Sequence, residues 1–312
     1  MGLSFAVAWL PSNVRLLDAA DIPVIPLKGV LFQQLLYEDP AQRPLMDVDV
    51  LVPEAAFERA IAVLLQAGFA PLSAGRSLIE CALTAPRGMT VDLHRRLFSR
   101  GRYKLATVDV FRRSRRDAAL LGVPLYIAHP HDTAAHLIGK LVSDHEAYDA
   151  RARLAELARW VEHCAIDPGR LVRHLRACGM SRAARYAFRR GAELLDEPFF
   201  PAALAALPSD RLGSAYVSAA RVTFPVLGSS GWAALPAHLL NASLVRGGAS
   251  FALSAAARLR HAWLVRQQGA AGGYWAVFFA ARGAVRRQVR LPRSHEPLGA
   301  VARASHRSAR IG

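Results

Sequence analysis

The apolar positions of the first hundred residues follow two periods in turn. Residues 12–20 and 30–38 repeat at helical spacing, and in VLFQQLLYE the side chains of Leu31, Leu35 and Leu36 fall on one side. Between them residues 22–27, IPVIPL, form an apolar run punctuated by prolines, which suits a strand or extended segment, and Lys28-Gly29 marks a break. After the loop DPAQRP (39–44), MDVDVLV (46–52) alternates Asp with Val, a strand signal. Pro53 and Glu54 open a helix to Ala67, with Phe57, Ala60, Ile61, Leu64 and Leu65 at helical spacing and Gly68 as its stop. Two more strands are expected around 77–84 and 89–97, joined by the hairpin signal Ala85-Pro86-Arg87-Gly88. This order predicts an α+β module, a small mixed sheet with helices packed on it.

Beyond about Pro130 the period is helical, over 131–145, 150–164, 168–178 and 181–195. Pro198, Pro201 and Pro208 then interrupt, residues 215–267 are again mostly helical, and the last stretch follows no period. The expected division is an α/β module over 1–125 and a mainly α-helical domain over 126–312 that ends in a basic tail.

Composition narrows the class. The chain has 312 residues, 53% hydrophobic and 21% charged, which is a globular composition with enough apolar material for a core. The formal charge of +16 is concentrated at the end: residues 246–312 carry twelve Arg and a single acid, Glu296. Such a segment attracts polyanions (nucleic acid, an acidic partner or an anionic membrane surface) or is simply a solvated basic face. Three cysteines, Cys81, Cys164 and Cys178, with no CxxC spacing, suggest neither a disulfide framework nor a zinc knuckle. A reducing, cytoplasmic location is expected. The start, MGLSFAVAWLPSNVR, lacks the basic region of a signal peptide. No apolar run is long enough to span a bilayer; AAGGYWAVFFAA (270–281) comes nearest and reads better as a helix docked on a core than as one lying on a membrane.

The chemistry is concentrated in the carboxylates. On a strand, Asp47 and Asp49 project to one face while Val48 and Val50 project to the other. Two carboxylates that close repel, and a divalent cation reverses that sign. Asp92, in the later strand TVDLHRRL, could bring a third carboxylate alongside. Three carboxylates on neighbouring strands can hold two metal ions for in-line phosphoryl displacement, and Asp92 could also take the proton of an attacking hydroxyl. Gly29 at the strand-to-helix turn permits close approach of a ligand, the helix N-terminus offers free N–H groups to a phosphate, and Lys28 and Arg43 add charge. A DxD pair alone is equally read as a solvated strand start; the conjunction of these features is what points to a site.

The run LKG…R…DVDVLV…VDLHRRL resembles the DNA polymerase β-type nucleotidyltransferase superfamily. Within it, the chain is most similar to an uncharacterised bacterial nucleotidyltransferase family with LKG, an Arg, a DxDLLV-like strand and a D/E-L-H strand. The resemblance is strongest over residues 22–97 and continues more weakly to about Leu195. It implies Asp47, Asp49 and Asp92 as ligands of two Mg²⁺ ions (Mn²⁺ being an alternative), and Lys28, Gly29 and Arg43 as the nucleotide-binding residues. His94 matches the D/E-L-H motif and would orient Asp92, or be a structural histidine. The superfamily's Gly-Gly or Gly-Ser pair is here Lys28-Gly29, followed by Val30 where a Ser is common. The implied function is transfer of a nucleotidyl group from an NTP to a hydroxyl of an acceptor, whether small molecule, RNA or protein. The alternative is a non-catalytic binding protein that keeps the fold and works through residues 246–312.

Other chemistries fit less well. HPHDTAAH (129–136) lacks the HExxH spacing of a zinc helix, and Asp132 there reads as a helix N-cap or first-turn acid. Trp160 and Glu162 suit a helix packed on the module, and His145 and His163 suit surface or interhelical positions. No GxSxG, Walker-type or GxGxxG motif occurs. A DxD glycosyltransferase would need a nucleotide-binding βαβ unit ahead of Asp47, where only 46 residues stand.

Overall fold

The computed structural model describes residues 13–227, apart from Met46, Leu78, Arg87, Ala119, Leu121 and residues 144–149. All of the described residues belong to one compact unit, Met1–Gln268. The basic segment 246–312, the stretch 270–281, His145 and the part of 215–267 beyond Leu227 lie outside the described residues.

Residues 13–19 are helical (α1). A five-stranded mixed sheet then forms the first half, in the order β1-β2-β5-β4-β3. It contains β1 (Ile25–Pro26), β2 (Asp47–Leu51), β3 (Ala70–Arg76), β4 (Glu80–Thr84) and β5 (Thr90–His94). β2 and β5 run parallel, and the other neighbouring pairs are antiparallel. The parallel pair requires a crossover, and α3 (Phe57–Gln66) supplies part of it, burying Phe57, Ala60, Ile61 and Leu64. Gly68 follows at φ 88°, a left-handed stop that favours glycine. Val48, Val50, Val91, Leu93, Cys81 and Leu83 alternate with the acidic positions and are all buried.

Three features depart from the sequence expectation. β3 was not legible, because APLSAGR has little β propensity; it sits at the sheet edge, where Pro71 is tolerated and the register shifts. Residues 98–129 carry a short helix α4 (Thr107–Arg113) and a hairpin of β6 (Arg115–Asp117) and β7 (Leu125–Ile127), each too short to show a period. A helix also runs through Pro201: α9 (Phe199–Ala206) holds that proline in its first turn, where the missing N–H has no intrahelical acceptor to lose.

The helical region follows its pattern closely, with α5 (Pro130–Ser143), α6 (Ala150–His163), α7 (Pro168–Ala177) and α8 (Ser181–Leu194). Asp167 caps α7 by accepting from the Arg170 N–H at 2.7 Å, and Pro168 opens it. α5 is buried on nearly all sides, from Asp132 to Val142, and so is the central helix of this region. Trp160 of α6 is fully buried, donates to the Pro130 carbonyl at 3.0 Å and packs on Phe32 at 5.3 Å, while Glu162 and His163 are exposed. A last helix, α10 (Arg211–Leu227), ends the described chain. Among the described residues no helix is long and apolar enough to cross a membrane.

Candidate active site

Two parallel strands set the carboxylates side by side. In the β2–β5 register Asp49 stands opposite Asp92, Asp47 opposite Thr90 and Leu51 opposite His94. β4 continues these rows, with Ala82 beside Asp92 and Glu80 beside His94. Asp47, Asp49, Asp92, His94 and Glu80 therefore share one face of the sheet.

Helix α2 (Lys28–Leu35) starts at this face. Its first residue is Lys28, so the pair expected as a break is instead the opening of the helix. Leu27 donates its N–H to the Asp49 carbonyl at 2.9 Å, which ties the helix start to β2. Lys28 Nζ then lies 3.1 Å from Asp49 Oδ2. The other oxygen, Oδ1, is 2.9 Å from His94 Nε2, and His94 Nδ1 is 3.2 Å from Glu80 Oε2. His94 thus grips Asp49, not the Asp92 expected to be its partner.

Burial works against the charge on Asp49, but Lys28 and His94 outweigh it and hold the carboxyl well below its usual range. Burial also works against a charged His94, yet the bond to Asp49 and the charge of Glu80 raise its pKa. Asp92 is pushed up to about 7, first by burial and then by the charges of Asp49 and Glu80. Its Oδ1 is buried with no hydrogen-bond partner among the described residues.

That orphaned oxygen, together with an all-carboxylate donor set, suits a hard divalent cation by chemistry. The geometry is not closed around one: among the described residues no three His, Cys, Asp or Glu side chains converge as a metal cluster. Both oxygens of Asp49 are already engaged, one by Lys28 and the other by His94.

The Gly29 position is tight. A Cβ there would meet Leu45 Cδ2 at 3.2 Å and Arg43 Nη1 at 3.4 Å, so the glycine admits the 43–45 loop against the helix. Gln33, fully buried, donates to the carbonyls of Pro40 at 2.9 Å and Arg43 at 2.8 Å and fixes that loop. The Arg43 guanidinium is held by Glu156 of α6, at 2.5 and 3.3 Å. The helical region thereby reaches the nucleotide-binding residues expected in the first module.

Four other residues at or beside the site escaped sequence reasoning. Glu80 and Gln33 are polar positions inside apolar runs, a weak signal. Glu156 carries no local signal. Lys140 had one: of 40 basic side chains only Lys28, Lys104 and Lys140 are lysines, and two of these three act on Asp49. His136, one turn before Lys140 on α5, is buried and held neutral, its pKa far below the usual value through burial and the charges of Lys28 and Lys140.

Among the described residues the remaining histidines form no metal site. His129 and His131 stack at 5.0 Å, while Asp132 pairs with Arg113 and His174.

A mixed sheet with acids on one face, a basic helix start above them and a helical region behind defines a nucleotidyltransferase-type module. Residues 13–196, more than half of the chain, match the family described as "Uncharacterised nucleotidyltransferase", and the chain belongs to that family. Among solved structures, an antigenic nucleotidyltransferase-like protein from Paracoccidioides brasiliensis is 14% identical, with 66% of this chain and 94% of that one covered and a TM-score of 0.38. The Thermotoga maritima CCA-adding enzyme complexed with tRNA is 12% identical, covering 84% of this chain and 81% of that one at a TM-score of 0.23. A CCA-adding enzyme in complex with ATP is 11% identical, covering 92% and 86% at 0.22. No curated protein matches the chain.

Proposed function

We propose that the chain is a metal-dependent nucleotidyltransferase that moves an NMP group from an NTP to an acceptor hydroxyl. The observation that carries this reading is the register that sets Asp49 beside Asp92 on parallel strands, with Lys28 at a helix start above them. Asp47, Asp49 and Asp92 would hold Mg²⁺, which when bound would neutralise the charge that develops on the phosphates. Lys28, the Gly29 turn and Arg43 bind and orient the triphosphate, and Arg43 takes its position from Glu156 and Gln33. Asp92 accepts the proton of the attacking hydroxyl. The acceptor oxygen bonds to the α-phosphorus, the bond from that phosphorus to the bridging oxygen breaks, and pyrophosphate leaves toward Lys28.

One observation favours a second reading, a binding protein that keeps the fold: Asp49 is already satisfied by Lys28 and His94. Thermal unfolding with each NTP and Mg²⁺, on the wild type and on Asp47→Asn/Asp49→Asn, separates the two. A ligand at 100 times its Kd adds about 2.7 kcal/mol to the folded state. A metal-dependent shift for one NTP, lost in the double variant, is expected. A folded wild type that no NTP stabilises would favour the binding protein.

A further inference from the structure

We propose that Lys28 is a built-in counter-ion of Asp49, which a divalent cation must displace in order to bind. This rests on the reading of Asp49 as a metal ligand.

Asp49 is enclosed, with a side chain only 8% exposed, and Lys28 and His94 each take one of its oxygens. The two partners differ in freedom. His94 is 6% exposed, on a strand in the interior of the sheet, with Glu80 Oε2 3.2 Å from its other ring nitrogen, so little room is left for its ring to withdraw. Lys28 is 26% exposed and stands on a flexible stem at the first residue of α2. It is the partner that can leave.

The residue type suits exchange. In a chain whose basic residues are otherwise nearly all arginine, this position is lysine. An ammonium is a strongly hydrated point charge with rotatable donors, while a guanidinium would grip the carboxylate with a rigid fork. A ligand with several phosphate oxygens offers Lys28 another partner and so frees Asp49. Metal and triphosphate then strengthen each other's binding by one common factor.

The test is binding of Mn²⁺ alone to the full chain, read from the free-Mn²⁺ EPR signal, with no nucleotide present. Lys28→Met keeps the stem and removes the charge. It is expected to bind Mn²⁺ about tenfold more tightly than the wild type, a difference of about 1.4 kcal/mol. Lys28→Gln, which retains a polar end, should shift the same way and guards against a folding defect in the first variant. Lys140→Met removes a charge that also acts on Asp49, more weakly than Lys28 does, and should shift affinity less. Equal tightening in Lys28→Met and Lys140→Met would overturn displacement in favour of a general field effect. No tightening in either Lys28 variant, with wild-type binding that Asp49→Asn removes, would overturn the counter-ion role and leave the metal site standing. Binding that Asp49→Asn leaves unchanged, or none in any variant, would remove the metal-site reading and this inference with it.

Discussion

Asp132→Asn should destabilise the protein by about 2–4 kcal/mol near pH 6, with a pH dependence of its own. The Asp132 side chain is 0% exposed and joins three helices. Arg113 of α4 donates to both oxygens, at 2.9 and 3.0 Å, and His174 of α7 lies 2.9 Å from Oδ1. Hydrogen bonds to charged groups contribute about 1.5–3 kcal/mol each. The full sum overstates the loss, because Asn retains one acceptor and Arg113 and His174 keep 33% and 20% of their side-chain exposure.

The direction with pH follows from both partners. The bond to Asp132, helped by a contact to Cys178, raises the His174 pKa to about 9. Its contribution is complete below the free imidazole value, about 6.5, and is lost as pH rises through about 9. Burial opposes ionisation of Asp132, but His174 and Arg113 lower its pKa, so its contribution is present above the usual carboxylate range and is lost as pH falls through the lowered value. Urea unfolding of wild type and variant at about pH 6 and about pH 9.5 measures the penalty and its alkaline decline. A penalty below about 1 kcal/mol at pH 6, or one unchanged at pH 9.5, would refute the reasoning.

Three further outcomes follow from the packing. Gln33→Leu removes two buried bonds to the loop that carries Arg43; a loss of about 1–3 kcal/mol is expected by urea unfolding, and under the proposed function a raised KM for the NTP with little change in kcat. Gly139→Ala gains about 1 kcal/mol of helix propensity but puts a methyl 2.3 Å from the Phe98 ring, an overpacking cost of about 1–3 kcal/mol, so a lowered Tm is expected and a raised one would show that Phe98 can move away. Burial and nearby positive charge lower the pKa of both His129 and His131, so they cost stability as pH falls below the free imidazole value; His131→Asn should flatten the stability profile between about pH 6.5 and 5, read by thermal unfolding across that range.

The local order of elements was legible in the chain wherever a period lasted for more than a few residues. β2, α3, β4, β5 and the four helices from α5 to α8 all appear near their expected bounds, because an amphipathic face must be buried whatever it meets. The placement of Asp47 and Asp49 on one face was legible too, since strand geometry alone dictates that. What those faces meet depends on contacts between elements distant in the chain. β3 exists because β4 supplies hydrogen bonds that APLSAGR could not ask for by propensity. The neighbour of Asp49 is set by a parallel register formed across a crossover, and the partner of His94 by which carboxylate lies within reach of its ring. Glu156 joins Arg43 across 113 positions of chain, a pairing that no local pattern encodes.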